Sequence, residues 1–364
     1  MSRKTNSLSQ LALQKFKSNF WGVFSFWFIV FVGLISVFAY VIAPDDSQYA
    51  NQMHLSIHSK KPGFTVDLLT LPSQINKDQS FINAVFFGKK NSETEIPISS
   101  YKIEDNNLIY TEYASDGLEG VTKTIDFKQL DEEKLSTLIS KKTFLFGTDK
   151  YGRDLLSRIL VGARISFSIG FVAVFISLLI GVFMGSVAGY FGGKIDALIM
   201  WIINVTWSIP TLLLVIAITL ALDKGFRQVF IAVGLTMWVE VARVVRGQII
   251  SAKEMQYVTA ARALGFNNFR IITRHILPNI MAPVIVISAA NFAAAILIES
   301  GLSFLGIGAQ PPMASWGAMI KDHYNYIILG KPYLALIPGL CIMSLVMAFM
   351  LIGNALRDAL DVKN

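Results

Sequence analysis

The chain has one cysteine, Cys341, and four histidines, His54, His58, His275 and His323, among its 364 residues. A lone cysteine closes no internal disulfide, whatever the redox compartment, and supplies no cysteine-rich metal centre. His54 and His58 stand four apart, a spacing that can serve a metal from one helix face. The intervening Leu-Ser-Ile holds no glutamate and no third ligand is evident, so no metal site is expected. No glycine-rich loop ends in Lys-Ser/Thr, so any nucleotide hydrolysis must fall to a partner, and no cofactor is expected. Charge is also scarce. Asp, Glu, Lys and Arg make up 16% of the chain against 53% apolar residues, and the mean hydropathy is +0.53.

That scarcity is concentrated. The intervals 18–44, 165–193, 197–222, 276–298 and 332–356 contain no Asp, Glu, Lys or Arg. Each is long enough for an α-helix to cross roughly 30 Å of hydrocarbon. A sixth candidate, 228–250, is apolar in its first half and carries Glu240, Arg243 and Arg246 in its second. Glu240 could be a buried intramembrane charge or a local partner of Arg243 near the membrane edge; the second reading is preferred. With the N-terminus in the cytoplasm and six spans, the inner flanks hold 13 Lys and Arg and the short outer loops only Lys224, Arg227, Lys321 and Lys331. This bias predicts cytoplasmic N- and C-termini.

Residues 1–19 read as a cytoplasmic amphipathic segment and 20–43 as an uncleaved first anchor, because the apolar run is long for a signal peptide. Residues 44–143 are polar and turn-rich. Alternation over Ser100–Glu104 and Leu108–Tyr113, around Asp105-Asn106-Asn107, predicts a hairpin. Further turn signals stand at Lys61-Pro62-Gly63 and Asp116-Gly117. This insert is expected outside the cytoplasm, between spans 1 and 2, as a small β-containing module, with disorder as the alternative reading because its apolar content is modest. From 43 to 164 there are 15 basic and 17 acidic residues, so the basic excess belongs to the rest of the chain. It suits anionic lipid or protein partners; without an aromatic–basic stripe it does not predict nucleic-acid binding. A separate interfacial helix is expected over 144–165, capped by Thr148 or Asp149.

Between two apolar runs lies a polar, basic, helix-prone stretch, MQYVTAARALGFNNFRIITRHILPN, at 255–279. Ala260, Ala261 and Gly265 recur at helical spacing, so a partner surface could approach the backbone there, and Leu277-Pro278 is expected to end the element. The stretch resembles the coupling loop of ABC-transporter permeases, whose pattern is Glu-Ala-Ala, three residues, Gly, then nine residues to Ile-x-Leu-Pro. Thr259 stands in place of the Glu and His275 in place of the Ile. The run Phe146–Asp154 leading to Gly162-Ala163-Arg164-Ile165-Ser166 is similar to the entry into the second span of dipeptide and oligopeptide permeases. Glu299–Gly308 with Gln310-Pro311-Pro312 and Ser315-Trp316-Gly317, and the ending Leu356–Asp361, resemble that branch too, and its second permease subunit in particular.

The resemblance implies an all-α transmembrane fold: a six-span, type I ABC importer permease over 162–357, with a coupling loop at 251–279 and a cytoplasmic tail at 358–364. It implies a bacterial inner-membrane subunit that forms half of a peptide path. It also implies as partners a second homologous permease, two cytoplasmic ATPase subunits and an extracytoplasmic substrate-binding protein. The ATPase-coupling residues would be Thr259, Ala260, Ala261, Gly265, Leu277 and Pro278. Pro210 and Pro338, inside apolar runs, are possible hinges. Glu299 is a possible path residue or a boundary marker. Import of nickel or another non-peptide solute remains open. A secondary transporter or channel is the alternative from another class, though neither inverted repeats nor ion-coupling residues are evident.

Overall fold

The computed structural model describes residues 8–71, 80–90, 94–104, 107–114, 118–126, 138–223 and 225–361. The expected turn centres at 105–106 and 116–117, the first seven residues of the N-terminal segment, Lys224 and the last three residues of the tail lie outside them. Helices α1 (Leu8–Ser18), α2 (Phe20–Val37) and α3 (Ala39–Ile42) come first. Strands β1 (Phe64–Leu71), β2 (Thr94–Glu104), β3 (Asn107–Glu112), β4 (Thr122–Asp126) and β5 (Ile139–Phe144) follow, with α4 (Phe81–Phe87) between β1 and β2. Helices α5 (Leu155–Phe191), α6 (Gly193–Trp207), α7 (Thr211–Ala221), α8 (Phe226–Lys253) and α9 (Gln256–Ala263) come next. The helical path α10 (Asn268–Leu305), then α11 (Trp316–His323) and α12 (Tyr333–Leu360) complete the order. Five of these helices are long and apolar enough to cross a membrane, or six if the bent pair α6–α7 counts as one span.

The chain forms two compact units. One comprises Met1–Gly33, Ser166–Gln310 and Leu340–Asn364, the other Leu34–Ile165 and Pro311–Gly339. In the first, α5 meets α8 through Gly181, Gly185 and Gly189, a stripe four residues apart. A Cβ on Gly181 would lie 2.5 Å from Val241, and one on Gly185 2.5 Å from the Ala242 carbonyl oxygen. Without side chains the two backbones come close, and van der Waals packing takes the place of a hydrophobic drive that lipid cannot supply. Asp196 on α6 takes a bidentate pair from Arg246 on α8, at 2.5 and 2.6 Å. Where α5, α10 and α12 meet, Phe292 stacks on Phe349, and Phe167 meets Phe292 edge-on and Phe349 at a tilt.

In the second unit the strands form one antiparallel sheet of order β4-β3-β2-β1-β5. The expected hairpin is β2–β3, with Glu104 opposite Asn107. Strand β1 lies between β2 and β5 and is covered on both faces. Val66 and Leu68 pack with Ile57 and Phe144, whereas Leu69 packs with Ile98, Leu108 and Tyr110. The period of two explains this division. Phe64 pairs with Phe144, so the sheet starts and ends at one place.

Several sequence expectations need correction. The separate helix over 144–165 is not an element of its own, because 155–165 is the start of the continuous 37-residue helix α5. Nor does Asp149 cap it. Its buried carboxylate accepts from the backbone N–H groups of Tyr151 and Arg153 and from the Arg153 side chain. Asp154 caps instead, accepting from the Ser157 N–H at 2.8 Å. The apolar run 197–222 is not one straight helix, since α6 and α7 meet at 93°. Pro210, with no N–H to donate, stands before the first turn of α7 at that break rather than within a bent helix. Pro338 does lie inside a helix, α12.

A candidate coupling segment

Helix α9 begins after Met255 and ends in a Schellman closure. Phe266 N–H donates to the Ala261 carbonyl at 3.2 Å and Gly265 N–H to that of Arg262 at 2.9 Å. Gly265 has φ +77°, the left-handed conformation this closure demands. Its glycine therefore answers a backbone need, since a Cβ there would meet nothing within 4 Å. The next turn starts at once, with the Asn267 side chain accepting from Arg270 N–H at 2.8 Å.

One face of α9 is built into the helical core. Val258 and Ala261 are buried with Val241, Val245 and Ile249 of α8 and Ile271, Ile276, Ile280 and Val284 of α10. The other face is open: Thr259, Ala260 and Gly265 are exposed, and so are the apolar side chains of Leu264 and Phe269. Thus Ala261 does not share the open face with Ala260. The two are adjacent, about 100° apart around the helix, and here Ala260 looks outward while Ala261 is buried.

Leu277-Pro278 does not end the element as expected. Residues Ile271–Ile276 form a π turn and Leu277–Ile280 a 3₁₀ turn, and the helix continues to Leu305. Leu277 N–H reaches back five residues to the Ile272 carbonyl. The switch of helix type lets Pro278, which has no donor, sit at the first turn of the 3₁₀ segment. The Asn279 side-chain amide donates to the His275 carbonyl at 2.6 Å, another device at this joint. Leu277 is half-buried and Pro278 exposed. His275, which departs from the expected pattern, stacks on Phe266 at 5.5 Å, and Arg270 lies 4.1 Å over the same ring. Sequence reasoning missed these contacts, as it missed the Tyr190 hydroxyl donating to Asn268 at 2.9 Å. The Gly-Phe-Asn-Asn run was the available signal for the closure and cap.

The other candidates lie elsewhere. Glu299 is buried within α10, and Ser303 Oγ donates to its Oε1 at 2.7 Å while accepting from Ala309 N–H at 3.0 Å. This pairing ties the exit of α10 to the turn that follows it. Glu240 is exposed on α8 and lines a cavity of about 150 Å³ with Thr206, Trp207, Thr211 and Ile298, at the α6–α7 break. The expected Glu240–Arg243 pair is replaced. Arg243 donates to Asn204 at 3.0 Å and lies 3.5 Å over the Trp207 ring. Glu240 points toward the cavity, while α6 offers Arg243 a flat aromatic face and an amide.

A family profile described as "Binding-protein-dependent transport system inner membrane component" matches residues 158–363. A second, "N-terminal TM domain of oligopeptide transport permease C", matches 7–62. The sheet, Phe64–Phe144, falls between the two matches. Bacillus subtilis "Dipeptide transport system permease protein DppC" is 44% identical over 218 residues, which is 60% of this chain and 68% of the relative. "Oligopeptide transport system permease protein OppC" of the same organism is 40% identical over 222 residues, 61% of this chain and 72% of the relative. Escherichia coli "Glutathione transport system permease protein GsiD" is 42% identical over 218 residues, 60% and 72% respectively. Among solved structures, the inward-facing MetNI methionine ABC transporter matches with TM-score 0.47 and 17% identity, over 56% of this chain and 95% of that one. The profile match over 158–363 takes in the α9–α10 joint and the helices it packs on, and with it this chain belongs to the family of inner-membrane permease components of binding-protein-dependent ABC importers.

Proposed function

We propose that this chain is one of two permease subunits of an ATP-driven peptide importer. In this reading its termini and the α9 joint lie in the cytoplasm, where two ATPase subunits dock, and the sheet lies outside, where a substrate-binding protein delivers cargo. Hydrolysis belongs to the ATPases, and this chain does no covalent chemistry. Peptide is the favoured cargo because the relatives named above are dipeptide, oligopeptide and glutathione permeases.

The observation that carries the coupling role is the division of α9 into two faces. Its outer face is free to receive a partner, and its inner face is locked by Val258 and Ala261 into α8 and α10. A push on such an element moves the packed helices with it as a body. The residues assigned to docking are Thr259 and Ala260, flanked by Leu264. Ala261, Gly265, Leu277 and Pro278 shape the joint rather than touch the partner.

The test compares Ala260→Trp with Ala261→Trp in the assembled importer. Ala260→Trp should insert and assemble its helices normally but lose most peptide uptake, with ATPase subunits lost on co-purification or their hydrolysis no longer stimulated by substrate. Ala261→Trp should reduce the amount of folded permease itself, because the core cannot admit the ring. Normal uptake and normal ATPase association in Ala260→Trp would refute the docking assignment.

A further inference from the structure

The short helix α4, Phe-Ile-Asn-Ala-Val-Phe-Phe, contains no charged residue although it lies within the polar insert. A soluble module would turn its aromatic residues inward. Here Ile82 is 66% exposed and Phe87 61%, with Phe86 exposed beside them. Ile82 and Phe86 are four apart and lie on one line of the helix, and Phe87 stands about 100° further round with the exposed Asn83 between, so the outward face is a broad, mostly apolar arc. The opposite side of the helix is the packed one. Gly88, which ends α4 with φ +75°, lies so close to Tyr40 of α3 that a Cβ would come within 2.9 Å of the ring.

The position of α4 is tied to the end of the first span. Gln48 N–H donates to the Lys89 carbonyl at 3.0 Å and Lys89 N–H to that of Asp46 at 2.9 Å, so the chain after α4 is stitched to the chain after α3. The Lys89 ammonium also pairs with Asp46 at 2.7 Å. Helix α2 has 18 residues, roughly 27 Å at 1.5 Å each, close to the ~30 Å hydrocarbon core. A span of that length ends where hydrocarbon gives way to headgroups, and α3 follows it directly in the chain. Its own Val41 and Ile42 are 59% and 53% exposed, continuing the apolar surface of the span. The exposed face of α4 adds further apolar side chains beside α3.

We propose that α4 is an interfacial lipid contact, seating Ile82, Phe86 and Phe87 in the headgroup–acyl boundary beside Val41 and Ile42. The partner is the bilayer, because α4 lies against α3, the helix that directly follows the first span, and both expose apolar side chains without a charge among them. An apolar helix face at this depth is stabilised by burial in the boundary without crossing it. The sheet would then be held down at two points, the end of α3 and α4, and keep a defined tilt to the membrane. The inference holds for either orientation of the chain, so it stands or falls independently of the coupling assignment.

The experiment is site-directed spin labelling of the assembled importer in vesicles of phosphatidylcholine and phosphatidylglycerol. Single cysteines replace Ile82, Phe87 or, as a water-facing reference, Leu118 (73% exposed), each with Cys341→Ser. Power saturation reports collision with oxygen, which concentrates in lipid, and with a water-soluble nickel chelate. Labels at 82 and 87 should favour oxygen over the chelate by several-fold relative to the label at 118. Chelate accessibility equal to that at 118 would overturn the proposal. So would an immobilised spectrum shielded from both reagents, which would place a protein subunit on the patch. Phe87→Glu supplies a second arm. Detergent-purified complex should assemble as before, while in vesicles the label at Ile82 should shift toward chelate exposure. An unchanged label would also count against the bilayer.

Discussion

Ala260 and Ala261 are identical neighbours with opposite fates. One is open and the other is 3% exposed in the helical core. Gly265, two residues past the end of α9, takes the left-handed conformation that closes the helix. The same scale governs the acid response of the sheet. His54 Nε2 lies 3.5 Å and Lys142 Nζ 3.0 Å from the Glu95 carboxylate. Burial alone would raise that carboxyl, but the His54 and Lys142 contacts outweigh it and hold it below its ordinary value of 4.5. The unfolded chain therefore binds more protons over the window between the two values. The pairing contributes fully above the ordinary value and is lost as pH falls through the lowered one. Glu95→Gln should lower the melting temperature of the purified complex near neutral pH and flatten its decline as pH falls below the ordinary value of 4.5. An acid limb as steep as that of the parent would show that Glu95 does not carry it.

At the scale of elements, the glycines on the helices divide by what surrounds them. On Gly185 a Cβ would meet a backbone carbonyl oxygen at 2.5 Å, which no side-chain rotation relieves, whereas on Gly247 of α8 it would meet nothing within 4 Å. Gly185→Ala should force α5 and α8 apart and cost about 1–3 kcal/mol, the usual range for overpacking. Gly247→Ala should be neutral or stabilise by about 0.5–1 kcal/mol, because a helix interior prefers alanine. Thermal unfolding of the two variants in detergent, alongside the parent, checks the contrast. Equal effects would mean that the close approach at Gly185 does not hold the pair together. The π-to-3₁₀ switch in α10 belongs to this scale as well. It keeps one helical path running through a proline that was expected to end it.

At the scale of the whole molecule, the proposed orientation puts the α9 joint and the sheet on opposite sides of the bilayer. Single cysteines at Asn268 and Leu118, both exposed and both made with Cys341→Ser, can report this. An impermeant maleimide applied to cells with a permeabilised outer envelope should label Leu118→Cys and spare Asn268→Cys until the inner membrane is opened. Reverse labelling would invert the assignment of ATPase and binding-protein sides. The sheet is a closed excursion from the chain, because β1 and β5 pair from Phe64–Phe144 to Leu69–Ile139. It can thus be read as a module set into the permease plan, held at its base by the buried Thr148–Asp154 knot. There Arg153 pairs with Asp149 at 2.6 Å and Trp316 Nε1 donates to the Ile159 carbonyl at 3.0 Å.

Local sequence was sufficient for whatever depends on composition within a short window. Runs without charge announced the membrane helices, because burial in hydrocarbon is a property each segment satisfies alone. Alternation announced the β2–β3 hairpin, and the spacing of Thr259–Pro278 announced the family. The tertiary structure decided everything that depends on which neighbour occupies a given side. In α9 apolar residues stand at 258, 260, 261 and 263, so the segment alone does not say that Ala261, not Ala260, turns inward; α8 and α10 decide it. The same holds for the merging of 155–165 into α5, the burial of Glu299 and the turn of Arg243 from Glu240 to Trp207. In each case the deciding group lies far along the chain or on another element, and a period counted along one segment does not contain it.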